Sequence, residues 1–206
     1  MTAEIDLFYW PTPNGWKISI ALEEMGLDYE THLVNIQKGE QFAPDFLAIS
    51  PNNRMPAIID PVGPDGAPVS VFESGAILLY LARKTGRFGG ETAREQIAVQ
   101  EWLMWQMGGV GPMFGQLSFF YAFGGADIED PRPRERYIAE TRRLLSVLEG
   151  RLDGRDWVCD GYSIADIAIA PWLRALDRYE AREVVGWTEY PRVVAYLDRF
   201  LDRPAV

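Results

Sequence analysis

The chain has 206 residues, 48% hydrophobic and 24% charged, with a formal net charge of −10 at neutral pH. This content suffices for one large or two small buried cores and excludes a disordered chain. The acidic balance excludes nucleic acid as the main partner, because backbone binding needs clustered Lys and Arg.

Residues 5–10 read as a short apolar strand. Asn14 then opens a helix in which Ile18, Ala21, Leu22 and Met25 recur at helical spacing until Gly26 stops it. Residues 29–34 read as a second strand and 42–49 as a short helical piece. Asn53, Arg54, Met55 and Pro56 lead into the apolar Ala57, Ile58 and Ile59, and after a Pro/Gly-rich turn Val69 to Phe72 forms the matching arm of a hairpin. Pro56 demands an extended residue at Met55 and admits a cis bond. Glu73 and Ser74 open a helix over 74–84, where unpaired backbone N–H groups and the positive helix end welcome a carboxylate. An exposed backbone edge at Met55 together with that helix start suits a peptide-like ligand carrying a free carboxylate. The pattern is βαβ, connector, ββα.

Strand signals fade after Gly86, and the Gly-rich run through Gly90 reads as a linker, giving domains 1–87 and 88–206. Beyond it the chain is helical. Thr92 and Glu95 form a capping box, and the run Gly108, Gly109, Val110, Gly111, Pro112 is expected to bend or interrupt the helix that follows. A helix from about Pro133 carries the core stripe Leu144, Leu145, Leu148 and Leu152, with Gly154 just past its end. Ser163 and Asp166 make a second capping box, opening an apolar helix expected at the buried centre. A last helix from Pro191 presents Val194, Leu197 and Leu201 on one face.

Cys159 is the single cysteine and His32 the single histidine, so neither an internal disulfide nor a His/Cys metal cluster is expected. No run of about 18 apolar residues is available for a membrane span. The first six residues lack the basic and apolar regions of a secretory leader, and a cytoplasmic protein is expected.

The βαβ-ββα unit with Pro56 before its third strand, Glu73 and Ser74 at its last helix, and the helical second region together resemble the cytosolic glutathione transferases over essentially the whole chain. Residues 12–18 (Thr12, Pro13, Asn14, Gly15, Trp16, Lys17, Ile18), 50–58 around Met55 and Pro56, and 72–81 around Glu73 and Ser74 resemble the bacterial nu class. That class includes glutathione-dependent disulfide-bond oxidoreductases and the nitrogen-regulatory prion protein. The resemblance implies an α/β plus all-α architecture, a thioredoxin-like glutathione-binding domain followed by an all-helical transferase domain. It also implies a homodimer with glutathione as cosubstrate, no metal, and a small disulfide or electrophile as second substrate.

In this family the nucleophilic sulfur belongs to glutathione, so the protein needs no cysteine of its own. Lowering a thiol pKa by about two units needs about 2.7 kcal/mol. A charge-assisted hydrogen bond of roughly 1.5–3 kcal/mol plus a helix N-terminus of about 0.3–1 kcal/mol could supply it. Thr12 and Asn14 match the positions from which nu-class members bond the sulfur; as bare residues, Asn14 reads equally as a helix cap and Thr12 as a turn residue. Tyr9 is the rival sulfur ligand, although strand alternation with Leu7 points it toward the core. By the same resemblance Ser74 holds the γ-glutamyl carboxylate, Glu73 the neighbouring ammonium, and the Met55 backbone beside Pro56 the cysteinyl segment. Gln41, Arg54 and Lys38 lie where the family contacts the backbone or glycine carboxylate. Arg136 matches an arginine reaching from the helical domain, but the nearby Arg132, Arg134, Arg142 and Arg143 make a solvated face an equal reading. Phe114, Phe119, Phe120, Tyr121 and Phe123 form either a wall for the second substrate or plain core. Cys159 reads as structural.

Overall fold

A computed structural model describes residues 4–206, which fall into two compact units, one running to Gly89 and one from Gly90 to Pro204. The first contains β1 (Ile5–Tyr9), α1 (Pro13–Met25), β2 (Tyr29–Leu33), a 3-10 turn (Glu40–Phe42), α2 (Pro44–Ile49), β3 (Ala57–Asp60), β4 (Val69–Phe72) and α3 (Ser74–Thr85). The sheet order is β2-β1-β3-β4, with β1 and β2 parallel and the other pairs antiparallel. This is the thioredoxin-like arrangement, and its connections follow from chain geometry. A parallel pair needs a crossover, which α1 supplies, whereas β3 and β4 need only a turn.

Alternation along β1 divides the sheet's two faces. Leu7 is fully buried with Ile18, Leu22, Ile58, Ile77, Leu78 and Leu81, while Phe8 joins a separate cluster with Val34, Phe46 and Ala57 under α2. The turn between β3 and β4 is held by carboxylates: Asp60 accepts from the Val62 N–H at 2.9 Å and Asp65 from the Ala67 N–H at 3.1 Å. Asp60 also pins α3 to the hairpin, bonding the Tyr80 hydroxyl at 2.6 Å and the Lys84 ammonium at 2.8 Å.

The second unit comprises α4 (Ala93–Trp105), one π-helical turn (Gln106–Val110), α5 (Gly111–Ala122), α6 (Arg132–Arg151), α7 (Ile164–Arg178), a 3-10 turn (Trp187–Glu189) and α8 (Pro191–Leu201). Both capping boxes form. The glycine run interrupts the regular α-helix through the π turn, which the Gly111 N–H closes by donating to the Gln106 carbonyl just before Pro112, a residue with no N–H to donate. A Cβ at Gly111 would lie 3.0 Å from the Gln106 Nε2, so the buried glutamine and the glycine fit each other. In α6 the leucine stripe is buried as its spacing predicts. In α8 the buried stripe is Val193, Tyr196, Leu197 and Phe200 rather than the one through Val194 and Leu201, because Tyr196 turns its ring inward to bond a buried carboxylate.

That carboxylate is Asp166, fully buried at the start of α7. It accepts from the Ser163 N–H at 2.9 Å, the Ser163 hydroxyl at 3.0 Å, the Val158 N–H at 3.0 Å and the Tyr196 hydroxyl at 3.1 Å. Burial pushes its pKa up to about 6, with those four bonds pulling the other way. Between about pH 4 and 6 the folded chain therefore holds a proton that the unfolded chain has lost, and this group favours folding progressively as pH falls through that window. Urea unfolding at pH 4.5 and pH 7, compared between the wild type and Asp166→Asn, isolates the contribution. The wild type should gain more stability than the variant on acidification, and equal changes would refute the assignment.

Candidate functional site

Three segments of the first unit meet at one end of the sheet. Phe8 pairs with Ala57 and Ala57 with Phe72, so one step further along each strand brings Tyr9, Pro56 and Glu73 to the same level.

The first segment is the start of α1. Sequence reading places the cap at Asn14, but the structure places it at Thr12, whose Oγ1 accepts from the Gly15 N–H at 3.3 Å. Pro13 is the physical reason. It forces Thr12 into extended backbone (φ −126°, ψ 163°) and itself occupies the first helical position, leaving Asn14 half-buried at the second. The turn is tight: a Cβ at Gly15 would come within 2.2 Å of the Trp10 carbonyl and 3.0 Å of the Tyr9 ring. Tyr9 is half-buried rather than core, because it lies where the sheet ends beside this turn. Burial raises its pKa, opposed by a hydrogen bond from the Trp16 side chain.

The second segment is the loop before β3. Its Met55–Pro56 peptide bond is cis. The Met55 side chain packs against the Val34, Phe46 and Ala57 cluster, and its sulfur lies 3.8 Å from the Thr12 hydroxyl, tying this loop to the α1 start. The Ser50 hydroxyl donates to the Arg54 carbonyl at 2.7 Å, which shapes the approach to Met55.

The third segment is Glu73 and Ser74. Glu73 occupies the cap position of α3 with φ 71°, an uncommon conformation for a residue with a side chain, and makes no capping bond. Its carboxylate instead accepts from the Asn52 amide at 3.2 Å. The Glu73 side chain thus caps none of the first-turn N–H groups of α3.

One residue absent from the sequence-based set belongs here. Lys17 is 1% exposed, and its ammonium lies 3.4 Å from the Ser74 hydroxyl. Burial pulls its pKa well below the lysine range, and the Glu73 charge acts in the opposite sense. The signal was available, since Lys17 falls on the same helical stripe as Asn14, Ala21 and Met25.

The remaining predicted residues are placed differently. Gln41 sits half-buried in the 3-10 turn before α2, its Oε1 shielded from solvent without a partner among the described residues. Arg54 and Lys38 are exposed. In the second unit Arg136 is exposed on α6, whereas the neighbouring Arg134 donates to the Phe120 and Ala126 carbonyls at 3.2 and 2.8 Å and so holds the segment after α5. Of the aromatic set, Phe114 is core at 1% exposure, Phe119 and Phe123 are exposed, and Phe120 stacks on Tyr137. Cys159 is buried, its thiol pushed up to about 11 by desolvation and by the Asp166 charge, which makes it a poor nucleophile. Among the described residues one trio of potential metal ligands lies close together, Asp6, Glu30 and His32. Asp6 and His32 already bond each other at 2.7 Å.

Comparison with known proteins agrees with this architecture. Residues 3–83 match the glutathione S-transferase N-terminal domain and 131–199 the glutathione S-transferase C-terminal domain. The disulfide-bond oxidoreductase YfcG of Escherichia coli is 49% identical over 203 residues, covering 98% of this chain and 92% of that one. A glutathione transferase from Pseudomonas putida, solved with one glutathione disulfide per subunit, superposes with a TM-score of 0.97 at 50% identity, covering 98% of this chain and 89% of that one. One from Burkholderia graminis, with two glutathione molecules per subunit, gives 0.96 at 54% identity, covering 98% and 85%. With both halves of the family pattern present and half its residues shared with full-length members, the chain belongs to the glutathione S-transferases.

Proposed function

We propose that this protein is a glutathione-dependent disulfide-bond reductase of the nu class, its first domain (1–87) binding glutathione and residues 88–206 forming the all-helical transferase domain. The observation that carries this reading is the convergence of the α1 start, the cis Met55–Pro56 bond and the α3 start at one sheet end, while the chain's own thiol is buried elsewhere with its pKa raised. Glutathione extends along the Met55 edge as an added strand, with its γ-glutamyl carboxylate at Ser74 and its ammonium at Glu73. Its sulfur lies at Thr12 and Asn14. Gln41 and Arg54 serve its backbone and glycine carboxylate.

The bound thiolate attacks one sulfur of the substrate disulfide, forming a mixed disulfide and expelling the other sulfur as thiolate. A second glutathione thiolate then attacks the glutathione sulfur of that mixed disulfide, releasing glutathione disulfide and the second substrate thiol. No protein thiol is oxidised or reduced. Relatives holding two glutathiones or one glutathione disulfide per subunit support a site with room for both steps. We place the enzyme in the cytoplasm as a two-fold dimer with no nucleic acid or membrane partner. The second copy would pack on α3, where a cleft of about 590 Å³ is lined by Val62, Ala76, Leu79 and Tyr80 together with Arg83 and Lys84, and no described helix is long and apolar enough to cross a membrane.

Turnover with glutathione and hydroxyethyl disulfide tests the reaction, and a rate no higher than background would refute it. Chlorodinitrobenzene and aryl ethers run in parallel separate it from conjugation or ether cleavage by the same thiolate. Ser74→Ala is expected to weaken glutathione binding about tenfold, the loss of one charge-assisted bond, measured by calorimetry.

A further inference from the structure

Lys17 stands apart from the other two lysines of the chain, Lys38 and Lys84, which are exposed. A fully buried ammonium is costly, and an apolar side chain of similar volume would continue the stripe of Ile18, Ala21, Leu22 and Met25 without that cost. Its presence there needs a task, and its bond to Ser74 identifies one. The Lys17 Nζ donates to the Ser74 oxygen at 3.4 Å, which turns the serine's own proton away from Lys17. Ser74 is the first residue of α3, where Glu73 makes no capping bond.

We infer that Lys17 is a positioning residue which, from inside the domain and without touching the ligand, orients the Ser74 hydroxyl toward the γ-glutamyl carboxylate of glutathione. This rests on the assignment of that carboxylate to Ser74. It specifies that the affinity contributed by Lys17 depends on the ligand's γ-glutamyl group, whereas a lysine that merely joins α1 to α3 would affect every ligand alike.

The test compares Lys17→Met with the wild type for glutathione and for N-acetylcysteinylglycine, which keeps the thiol and glycine carboxylate but lacks the γ-glutamyl carboxylate. Glutathione should bind about tenfold more weakly to the variant, raising KM with kcat within twofold, and N-acetylcysteinylglycine should bind equally to both. A folded variant with unchanged glutathione affinity, or with equal losses for both ligands, overturns the inference. Should the variant not fold, lysine-selective isotope labelling of the wild type gives the same answer, because only three lysine signals arise. The Lys17 signal should move on adding glutathione and stay fixed with N-acetylcysteinylglycine; immobility with both overturns the inference. Ser74→Ala is measured alongside. If it too leaves glutathione binding unchanged, the carboxylate assignment itself falls; if it weakens binding while Lys17→Met does not, only the role of Lys17 falls.

Discussion

Replacing Asp166 by alanine should lower the unfolding free energy of the second unit by about 3–4 kcal/mol. The carboxylate receives two backbone N–H groups and two hydroxyls in a site with no exposure. Alanine leaves the Val158 and Ser163 N–H groups and the Tyr196 hydroxyl without their acceptor, and each such buried donor costs about 1–3 kcal/mol. The relief of no longer burying a charge offsets part of that sum. The damage reaches three elements, because this one side chain caps α7, fixes the preceding loop at Val158 and receives Tyr196 from α8. Urea unfolding followed by fluorescence is suited to the measurement, since Trp157 and Trp172 flank the network in sequence. Asp166→Asn should lose less, because its amide oxygen still accepts while its nitrogen faces donors. A loss below about 1 kcal/mol for Asp166→Ala would mean that the network does not hold the unit together.

Features whose physics is local were legible in the sequence. Both capping boxes depend on residues three apart, and Gly26 and Gly154 take positive φ where an L side chain would be strained. The hairpin of β3 and β4 was equally plain, because Pro56 and the turn acids act within a few residues of themselves. Where the sequence reading slipped, a nearby residue carried information it did not use. Asn14 is a good capping residue, yet Pro13 hands the cap to Thr12. Tyr196 is amphipathic and left out of the apolar stripe, yet its hydroxyl has a buried partner thirty residues away, which rotates the face of α8 by one position.

The site shows the same division. Met55, Glu73 and Ser74 could be named because each stands beside a backbone irregularity that sequence announces, a proline or a helix start. Lys17 could not be chosen by type, because lysine is ordinarily exposed and only its place on a buried helical stripe distinguishes it. The arginines of α6 illustrate the converse. Arg134 and Arg136 are two residues apart and chemically identical. What separates them is the carbonyls of Phe120 and Ala126, whose positions depend on the irregular segment after α5 that no periodicity specifies.

Asn14→Ala should lower kcat/KM for disulfide reduction by about ten- to a hundredfold while leaving glutathione affinity within a few-fold. Asn14 lies in the first turn of α1, beside Thr12, whose hydroxyl already accepts from Gly15 and faces the Met55 sulfur. On the proposed geometry its amide is the donor best able to meet the glutathione sulfur, and a bond to an ionised group is worth roughly 1.5–3 kcal/mol. Its removal raises the thiol pKa by about one to two units, so less thiolate is present at neutral pH. The pH profile separates this from general damage: the rising limb of kcat/KM should move to higher pH in the variant, and turnover should recover toward wild type in alkaline buffer. Tyr9→Phe is the matched control. On the proposed geometry its hydroxyl does not meet the sulfur, so that variant should keep kcat/KM within about twofold and leave the limb in place. Should the limb shift in Tyr9→Phe and not in Asn14→Ala, the tyrosine holds the sulfur, and the start of α1 serves only to shape the turn around Gly15.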